Sequence, residues 1–438
     1  MSDLPLWRRL LWPVRGVPPP PPVAPGVYPY QRLEGEWPTR FHLRVDPEGS
    51  GLLLANAAEA AYLSPTGVLM AQGLLEGQDD TAVTAQVRSA FGGAAPGQVA
   101  QDLDRLHQLL DDLAQPGDNY PITDLSDPRA GETGRALLAP LRADLTQPPL
   151  EMGRELLRRL WEAGIPHVTI FTDPQAPAEE LPLLVEAAED LGMLAGLRAP
   201  ASWLSPQILR EAALAGLDHL DLPCVSALGA SHDRWAGLAD YSALVGAFAQ
   251  CRELELCPVA EIPLFAGNLA EVPYTVGELR AEGVTNLVFW ALACPDGDEP
   301  AERAGALAAR RLPQVAEEIT EASEDTQARF LWAPPVRYDA RRSLEEHLRR
   351  GPRTAGDVAI RVEADGRVLP PRGPAQTAGN LLSDTWESIW AQEAFRRWRE
   401  RLAATTRCAT CPDLALCAAD CPKDPRGWSD DTSGGEQL

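Results

Sequence analysis

Residues Leu156–Phe171 read LLRRLWEAGIPHVTIF. The first half places leucines at helical spacing and ends in Ala163-Gly164. The second half is a short, largely apolar run containing three β-branched residues, Val168, Thr169 and Ile170, and bounded by Pro166. Glycine just past a helix supplies the left-handed cap that stops it. The stretch therefore predicts a helix over Leu150–Ala163 and a strand over His167–Phe171. Gly192, Gly216 and Gly283 repeat the device before further apolar runs. Strands are predicted over Ala136–Leu145, His167–Phe171, Leu194–Ala199, His219–Leu222, Leu256–Ile262 and Asn286–Leu292. Helices alternate with them over Leu150–Ala163, Ala178–Leu191, Pro206–Ala215, Tyr241–Leu254 and Val272–Glu282. Repeated β-α units with short connections predict a parallel sheet, here a partial (β/α)6 TIM-like barrel over residues 135–335.

A chain of 438 residues, 45% apolar, is too long for one ordinary core and predicts an α/β multidomain protein. The formal charge of −24 argues against nucleic acid or an anionic membrane as partner. Lys423 is the only lysine, which leaves no lysine for a Schiff base outside the C-terminal tail. LPLWRRLLWPV, residues 4–14, is too short and too charged to span a membrane, and a proline run follows at Pro18–Pro22. Residues 1–29 are expected to be a disordered, proline-rich leader, with the chain cytoplasmic and its thiols reduced.

Between the leader and the barrel lies a smaller unit, residues 30–115. Phe41, Leu43 and Val45 alternate with polar residues, Leu52 and Leu54 follow across a PEGSG turn, and Ala58–Leu63 reads as a third strand. Helices are predicted over Pro65–Leu75, Asp79–Phe91 and Gln98–Leu113, the last with Val99, Leu103, Leu106, Leu109, Leu110 and Leu113 at helical spacing. Three strands and three helices suggest a winged-helix-like module. Twelve carboxylates against five arginines between Arg32 and Gln115, a net of −7, disfavour DNA. FHLRVDPEGSGLLLANAAEAAYLSPTGVLMAQGLLEG, residues 41–77, resembles the PqqD-like family, whose members recognise ribosomally made precursor peptides. In that family the peptide adds as a strand beside the third strand and packs on the third helix. The resemblance implies a groove between Ala58–Leu63 and Val99–Leu110, with Ala60, Tyr62, Asp102, Leu106 and Leu109 as candidate peptide-binding residues. The alternative for each is a plain core position. Residues 116–134, rich in Pro, Gly and Asp, read as a linker.

The order of the barrel segments, with LVEAAEDLGMLAGL, LSPQILREAALAGLDHLDL, SHDRWAG and VAEIPLFAGNLAEVPYTVGELRAEGVTNLVFW, is similar to the radical SAM superfamily with a cysteine-rich SPASM domain. Departures from that pattern decide its meaning. The family holds its redox-active cluster through C-x3-C-x2-C after the first strand, where this chain has Asp144-Leu145-Thr146-Gln147-Pro148-Pro149-Leu150. The family's Gly-Gly-Glu after the second strand is replaced by Thr172-Asp173-Pro174-Gln175. Without that cluster the sulfonium has no electron source, so S-adenosylmethionine is not expected as a cofactor.

Residues 336–425 have the layout of a SPASM-like domain, and CATCPDLALCAADCP places Cys408, Cys411, Cys417 and Cys421 at the family spacing C-x2-C-x5-C-x3-C. The further cysteines that complete two clusters are missing: Gly351–Thr354 and Pro370-Pro371 stand at the upstream positions. One iron–sulfur cluster or one zinc on the four thiolates is the expectation, against reduced cysteines kept as a relic of the fold. Residues 426–438 are expected to be a disordered tail.

Other reactive residues read as structural. Cys224 with His232-Asp233 at the end of the fourth strand would make a nucleophilic arrangement, but a buried thiol is the stronger reading. Cys251, Cys257 and Cys294 lack metal spacing. His167 and His219 begin strands, on the face where residues stabilise. His42, His107 and His347 have no evident partners. The expected function is a non-catalytic radical SAM-like pseudoenzyme that binds a precursor peptide, an active radical SAM enzyme, or both, in peptide or cofactor maturation. Two alternatives are an iron–sulfur protein passing electrons through one C-terminal cluster, and an adaptor whose barrel is only a scaffold.

Overall fold

The computed structural model describes residues 21–32, 39–46, 48–55, 59–92, 96–114, 140, 142–326, 328–354, 359–371, 373–395 and 429–433. The N-terminal module is a four-stranded antiparallel sheet, β1 (Gly26–Arg32), β2 (Thr39–Val45), β3 (Gly51–Ala55) and β4 (Glu59–Leu63), in that spatial order. Three helices follow: α1 (Pro65–Leu75), α2 (Asp80–Ala90) and α3 (Pro96–Ala114). Ser64 Oγ accepts from Gly67 N at the start of α1, and Asp79 Oδ1 accepts from Ala82 N at the start of α2. Each satisfies a backbone donor that the first turn leaves unpaired. Phe41, Leu43, Val45 and Leu53 pack with Val99, Leu103, Leu106, Leu110 and Leu113 of α3 in one core. At Gly51 an added Cβ would stand 2.6 Å from Arg44 O, so only glycine fits the β2–β3 approach.

Two expectations for this end of the chain are corrected. The sheet has four strands rather than three, and the additional strand, β1, begins inside the expected leader. Pro29 concealed it, because proline is tolerated on an edge strand, and β1 is one edge of this sheet. Val23, 4% exposed, joins the module core, so residues 21–29 are placed.

The expected β-α alternation is present. It runs β5 (Arg142–Thr146), α4 (Leu150–Glu162), β6 (His167–Phe171), α5 (Leu181–Asp190), β7 (Leu194–Arg198) and α6 (Pro206–Leu214). It continues β8 (His219–Pro223), α7 (Gly229–Ala236), α8 (Tyr241–Glu253), β9 (Cys257–Leu264), α9 (Val272–Ala281) and β10 (Asn286–Cys294). Strands β5 to β10 are parallel neighbours in sequence order. The first described strand starts at Arg142, not at Ala136. Alternate strand residues Ala143, Leu145, Val168, Ile170, Leu220, Leu222, Ala260 and Ile262 meet the helices in the main core. Leu156, Leu157 and Leu160 of α4 are fully buried there, each worth about 1.5–3 kcal/mol.

Beyond β10 come α10 (Glu299–Arg303), β11 (Leu307–Ala308), α11 (Leu312–Asp325), β12 (Arg329–Trp332) and β13 (Val336–Arg337), and all three strands pair with β10. Helix α12 (Leu344–Arg350) leads to β14 (Ala359–Val362), which returns to the far side of the sheet and pairs in parallel with β5. A hairpin joins β14 to β15 (Arg367–Leu369) across the predicted ADG turn. Then follow β16 (Gly373–Ala375), β17 (Gly379–Asn380), α13 (Trp386–Trp390) and β18 (Ser429–Ser433). The result is a fourteen-stranded sheet that stays open among the described residues. Its continuity crosses the expected boundary at 335. Residues 429–433 lie beside β13 and β16, so the C-terminal tail holds a strand instead of being wholly disordered. No described helix is long and apolar enough to cross a membrane.

Candidate functional site

Strand β4 is the outer strand of the N-terminal module, and among the described residues it pairs only with β3. Ala60 is opposite Leu54 and Tyr62 opposite Leu52. Leu63 belongs to the module core, so alternation puts Tyr62, 39% exposed, on the face turned away from α3. Leu106 points into the core, Leu109 is half-buried against it, and Asp102 accepts from Gln98 Nε2 at 2.9 Å with Arg105 Nη1 at 3.5 Å. The candidate residues of β4 and α3 therefore share a module but not one face. The C-terminal half of α3 is tied to the opposite edge by Arg32–Asp111, 3.2 Å. What β4 itself offers is a backbone edge.

In α/β barrels chemistry sits at the C-terminal ends of the parallel strands. The connection from β5 to α4 is only Gln147, Pro148 and Pro149. Gln147, 2% exposed, donates from Nε2 to Pro177 O at 2.9 Å, and its Oε1 accepts from Asp173 N at 3.3 Å. Glu180 Oε2 accepts from Leu150 N at 3.1 Å and caps α4. Asp173 Oδ1 in turn accepts from Gln175 N at 2.8 Å. The two loops that follow β5 and β6 are thus bonded to each other and to the helix start. Between them lies Phe171, whose ring meets two guanidiniums, Arg361 at 4.5 Å and Arg198 at 5.0 Å. Arg361 Nη2 donates to Thr146 Oγ1 at 2.7 Å, and Thr146 donates to Glu363 at 2.9 Å. Arg198 Nη2 is so close to Gly351 that a Cβ there would stand at 2.6 Å. Gly351 (φ +65°) and the buried residues Pro352, Arg353 and Thr354 close this end, with Arg353 donating to Pro370 O and Gly373 O.

Deeper on the same face the strands carry a buried charged network. Arg142 donates from Nε to Asp144 at 2.6 Å and from Nη2 to Asp221 at 3.1 Å. Burial opposes the Arg142 charge, but the two carboxylates more than offset it and raise its pKa. His219 Nδ1 lies 2.6 Å from Asp221 Oδ1, and His219 Nε2 lies 2.7 Å from His167 Nε2. Burial works against the Asp221 charge, yet His219 and Arg142 hold its pKa below the usual carboxylate range. Burial first, then His219, Arg142 and His42 of β2, pushes His167 well below 6.5. Arg198 Nε donates to Glu261 at 2.7 Å, while burial leaves the Glu261 pKa raised. This network went unpredicted. Its signal was the alternation in RADLT and HLDLP, with polar residues at every second position of strands expected to be buried on both faces.

Cys224 and His232 do not form a catalytic pair. The thiol is buried and pushed up to about 12, chiefly by desolvation, with its Sγ toward Ser226 O at 3.9 Å. His232 Nδ1 accepts from Val225 N at 3.3 Å, and its Nε2 faces Asp240 rather than Asp233, at 3.7 Å. Asp233 instead accepts from the backbone of Asp240 and Tyr241. Burial likewise raises Cys251 to about 12 and Cys294 to about 11, and it holds Cys257 well above the usual thiol range. His107 has a partner after all, Asp80 at 2.8 Å, and His347 Nε2 contacts the Asp339 backbone. A small hollow lies beside Pro200, Pro223, Asp240 and Arg349. Cys408, Cys411, Cys417 and Cys421 lie outside the described residues. Among the described residues no group of three or more His, Cys, Asp or Glu is placed to hold a metal ion.

No family model matches the chain, and no curated protein does. Solved structures do match. SuiB of Streptococcus suis bound to S-adenosylmethionine superposes with a TM-score of 0.55 at 11% identity, over 90% of this chain and 97% of SuiB. SuiB bound to precursor peptide SuiA gives 0.54 over 89% and 97%, and SuiB alone gives 0.52 over 90% and 98%, each at 11% identity. At that identity the likeness establishes the fold alone, a mixed α/β chain with a large parallel sheet superposable on SuiB.

Proposed function

We propose that the chain is a peptide-binding pseudoenzyme on a radical SAM-like fold. It would recognise a ribosomally made precursor peptide through its PqqD-like module and carry out no radical chemistry itself. The observation that carries this reading is the β5–α4 connection. Three residues, none of them cysteine, turn the chain into α4, and the Gln147 amide is already bonded on both sides. An iron–sulfur cluster and S-adenosylmethionine do not fit there: the loop lacks thiolates, the α4 N-terminus is capped by Glu180, and Thr172–Gln175 are bonded inward. Peptide binding is supported by the outer edge of β4, unpaired among the described residues, and by the likeness to a structure that holds precursor peptide SuiA. Added main-chain hydrogen bonds would supply affinity, and side-chain contacts along the edge would supply preference.

In this reading residues 30–115 are the recognition module, with Ala60, Tyr62, Asp102, Leu106 and Leu109 as its candidate contacts. Residues 336–425 form a SPASM-like unit whose four cysteines hold at most one cluster or zinc. Two measurements test the proposal. Anaerobic incubation with S-adenosylmethionine and dithionite is expected to give no 5′-deoxyadenosine, and its formation would refute the pseudoenzyme reading. Peptides encoded beside the gene are expected to be retained by the immobilised chain. Retention no greater than that of scrambled peptides would refute recognition.

A further inference from the structure

Pro21 sits against Gly49 in the β2–β3 turn: an added Cβ at Gly49 would stand 2.7 Å from Pro21 and 3.6 Å from Pro65. Pro65 opens α1 directly after β4 and Ser64. The twenty residues before Pro21 therefore enter the module at the C-terminal end of β4, the strand whose outer edge has no described partner. Those residues, MSDLPLWRRLLWPVRGVPPP, carry Arg8, Arg9 and Arg15 against one carboxylate, in a chain of net charge −24. The module they enter has twelve carboxylates against five arginines between Arg32 and Gln115.

Within the twenty residues, Leu6-Trp7-Arg8-Arg9-Leu10-Leu11-Trp12 is bounded by Pro5 and Pro13. Every residue in it keeps its N–H, which the flanking prolines lack, so this is the longest proline-free piece of the twenty residues that could pair onto a strand edge. It is long enough to cover the five residues of β4, roughly 17 Å of edge. Trp12 is nine residues from the anchored Pro21, a reach of about 28 Å when extended in proline-rich chain. The whole edge is within that reach. Apolar and aromatic side chains flanking a pair of arginines suit an exposed Tyr62 on an acidic module.

We infer that Leu6–Trp12 is a built-in occupant of the β4 edge, a pseudo-ligand held in cis that an incoming peptide must displace. The inference rests on the proposed use of β4 as the peptide site. Tethering over so short a distance gives an effective concentration on the order of 1 mM. Against an intrinsic Kd on the order of 0.1 mM, that occupies about nine-tenths of the edges and weakens a competitor about tenfold.

The test uses the full chain and its full-length variant W7A/R8E/R9E/W12A, whose changes fall outside the core residues of the module. A fluorescein-labelled peptide of residues 1–20 is the probe. It is expected to bind the variant about tenfold more tightly than the wild type, and amides of residues 59–63 are expected to exchange faster in the variant. Equal probe affinity and equal exchange at 59–63 overturn the inference. A doubling of mass by light scattering in the wild type alone, with protection at 59–63 lost on dilution, makes the occupant a second copy's leader and overturns the cis reading. Gene-neighbour peptides separate the two proposals. If they bind both proteins equally, recognition stands and the cis inference fails. If they bind neither while exchange at 59–63 still depends on residues 6–12, the cis occupant stands and the recognition reading fails.

Discussion

Lowering the pH from 7 to 5 will destabilise this protein through His167, and the size of the effect follows from where that imidazole sits. It is fully buried at the start of β6, with His219 2.7 Å away and Arg142 and His42 acting on it electrostatically. Desolvation and these neighbours depress its pKa well below 6.5, so the folded chain keeps it neutral while the unfolded chain protonates it near 6.5. The unfolded state then binds more protons, and stability that is fully present above 6.5 is lost as the pH falls below it. Integrating the proton difference from pH 7 to 5, with His167 neutral when folded, gives about 1.9 kcal/mol. With a urea m-value of about 3 kcal/mol/M, the midpoint should fall by about 0.6 M from this group alone. The assay compares urea unfolding at pH 7 and pH 5 for wild type and His167→Gln, which keeps a donor toward His219 but cannot titrate. Other groups act on both proteins, so only the difference is read. An equal loss in the two proteins would refute the assignment of His167 as a buried neutral histidine.

Gly196→Ala should be severe, because its Cβ would fall 2.1 Å from His219 Cε1 and force apart the contacts to Asp221 and His167. The expected loss is about 3 kcal/mol in thermal or urea unfolding. Gly246→Ala, inside α8 with nothing within 4 Å, should instead stabilise by about 0.5–1 kcal/mol. Asp221→Ala leaves the Arg142 guanidinium buried with only part of its compensation, and a loss of about 3–5 kcal/mol is expected in the same assay. Iron, sulfide and zinc analysis of anaerobically purified chain should find no more than one cluster or one zinc, lost in Cys408→Ser/Cys411→Ser. Two clusters per chain would contradict the reading of the tail.

The parts of the fold that could be read from sequence are those where one local rule suffices. Gly164, Gly192, Gly216 and Gly283 all have positive φ and terminate helices, so the strands after them were found within a residue or two. What escaped was non-local. GVYPYQR is a strand only because β2 lies beside it, and SDDTS is one only because β13 and β16 do. Neither has an apolar alternation strong enough to announce itself. The buried charged network was hidden for a related reason. Arg142, Asp144, His219 and Asp221 look like residues that should be solvated, and only pairing across strands 79 residues apart makes them acceptable inside. The candidate peptide contacts were placed by analogy, and the alternation of β4 sets Tyr62 and Leu106 on different faces.

The pairing of β14 with β5 joins Ala359–Val362 to Arg142–Thr146, and Thr146 bonds to Arg361 and Glu363 across more than 200 positions. A ribosome must therefore synthesise past Glu363 before the first strand of the large sheet can gain its second neighbour. The antiparallel module, whose pairings are short-range, can form long before that. Contacts so distant in sequence slow folding and leave the β5 edge open to strands of other chains in the meantime. Premature termination between β13 and β14 should thus yield aggregates from the sheet while the N-terminal module remains folded, separating the folding of the module from that of the large sheet.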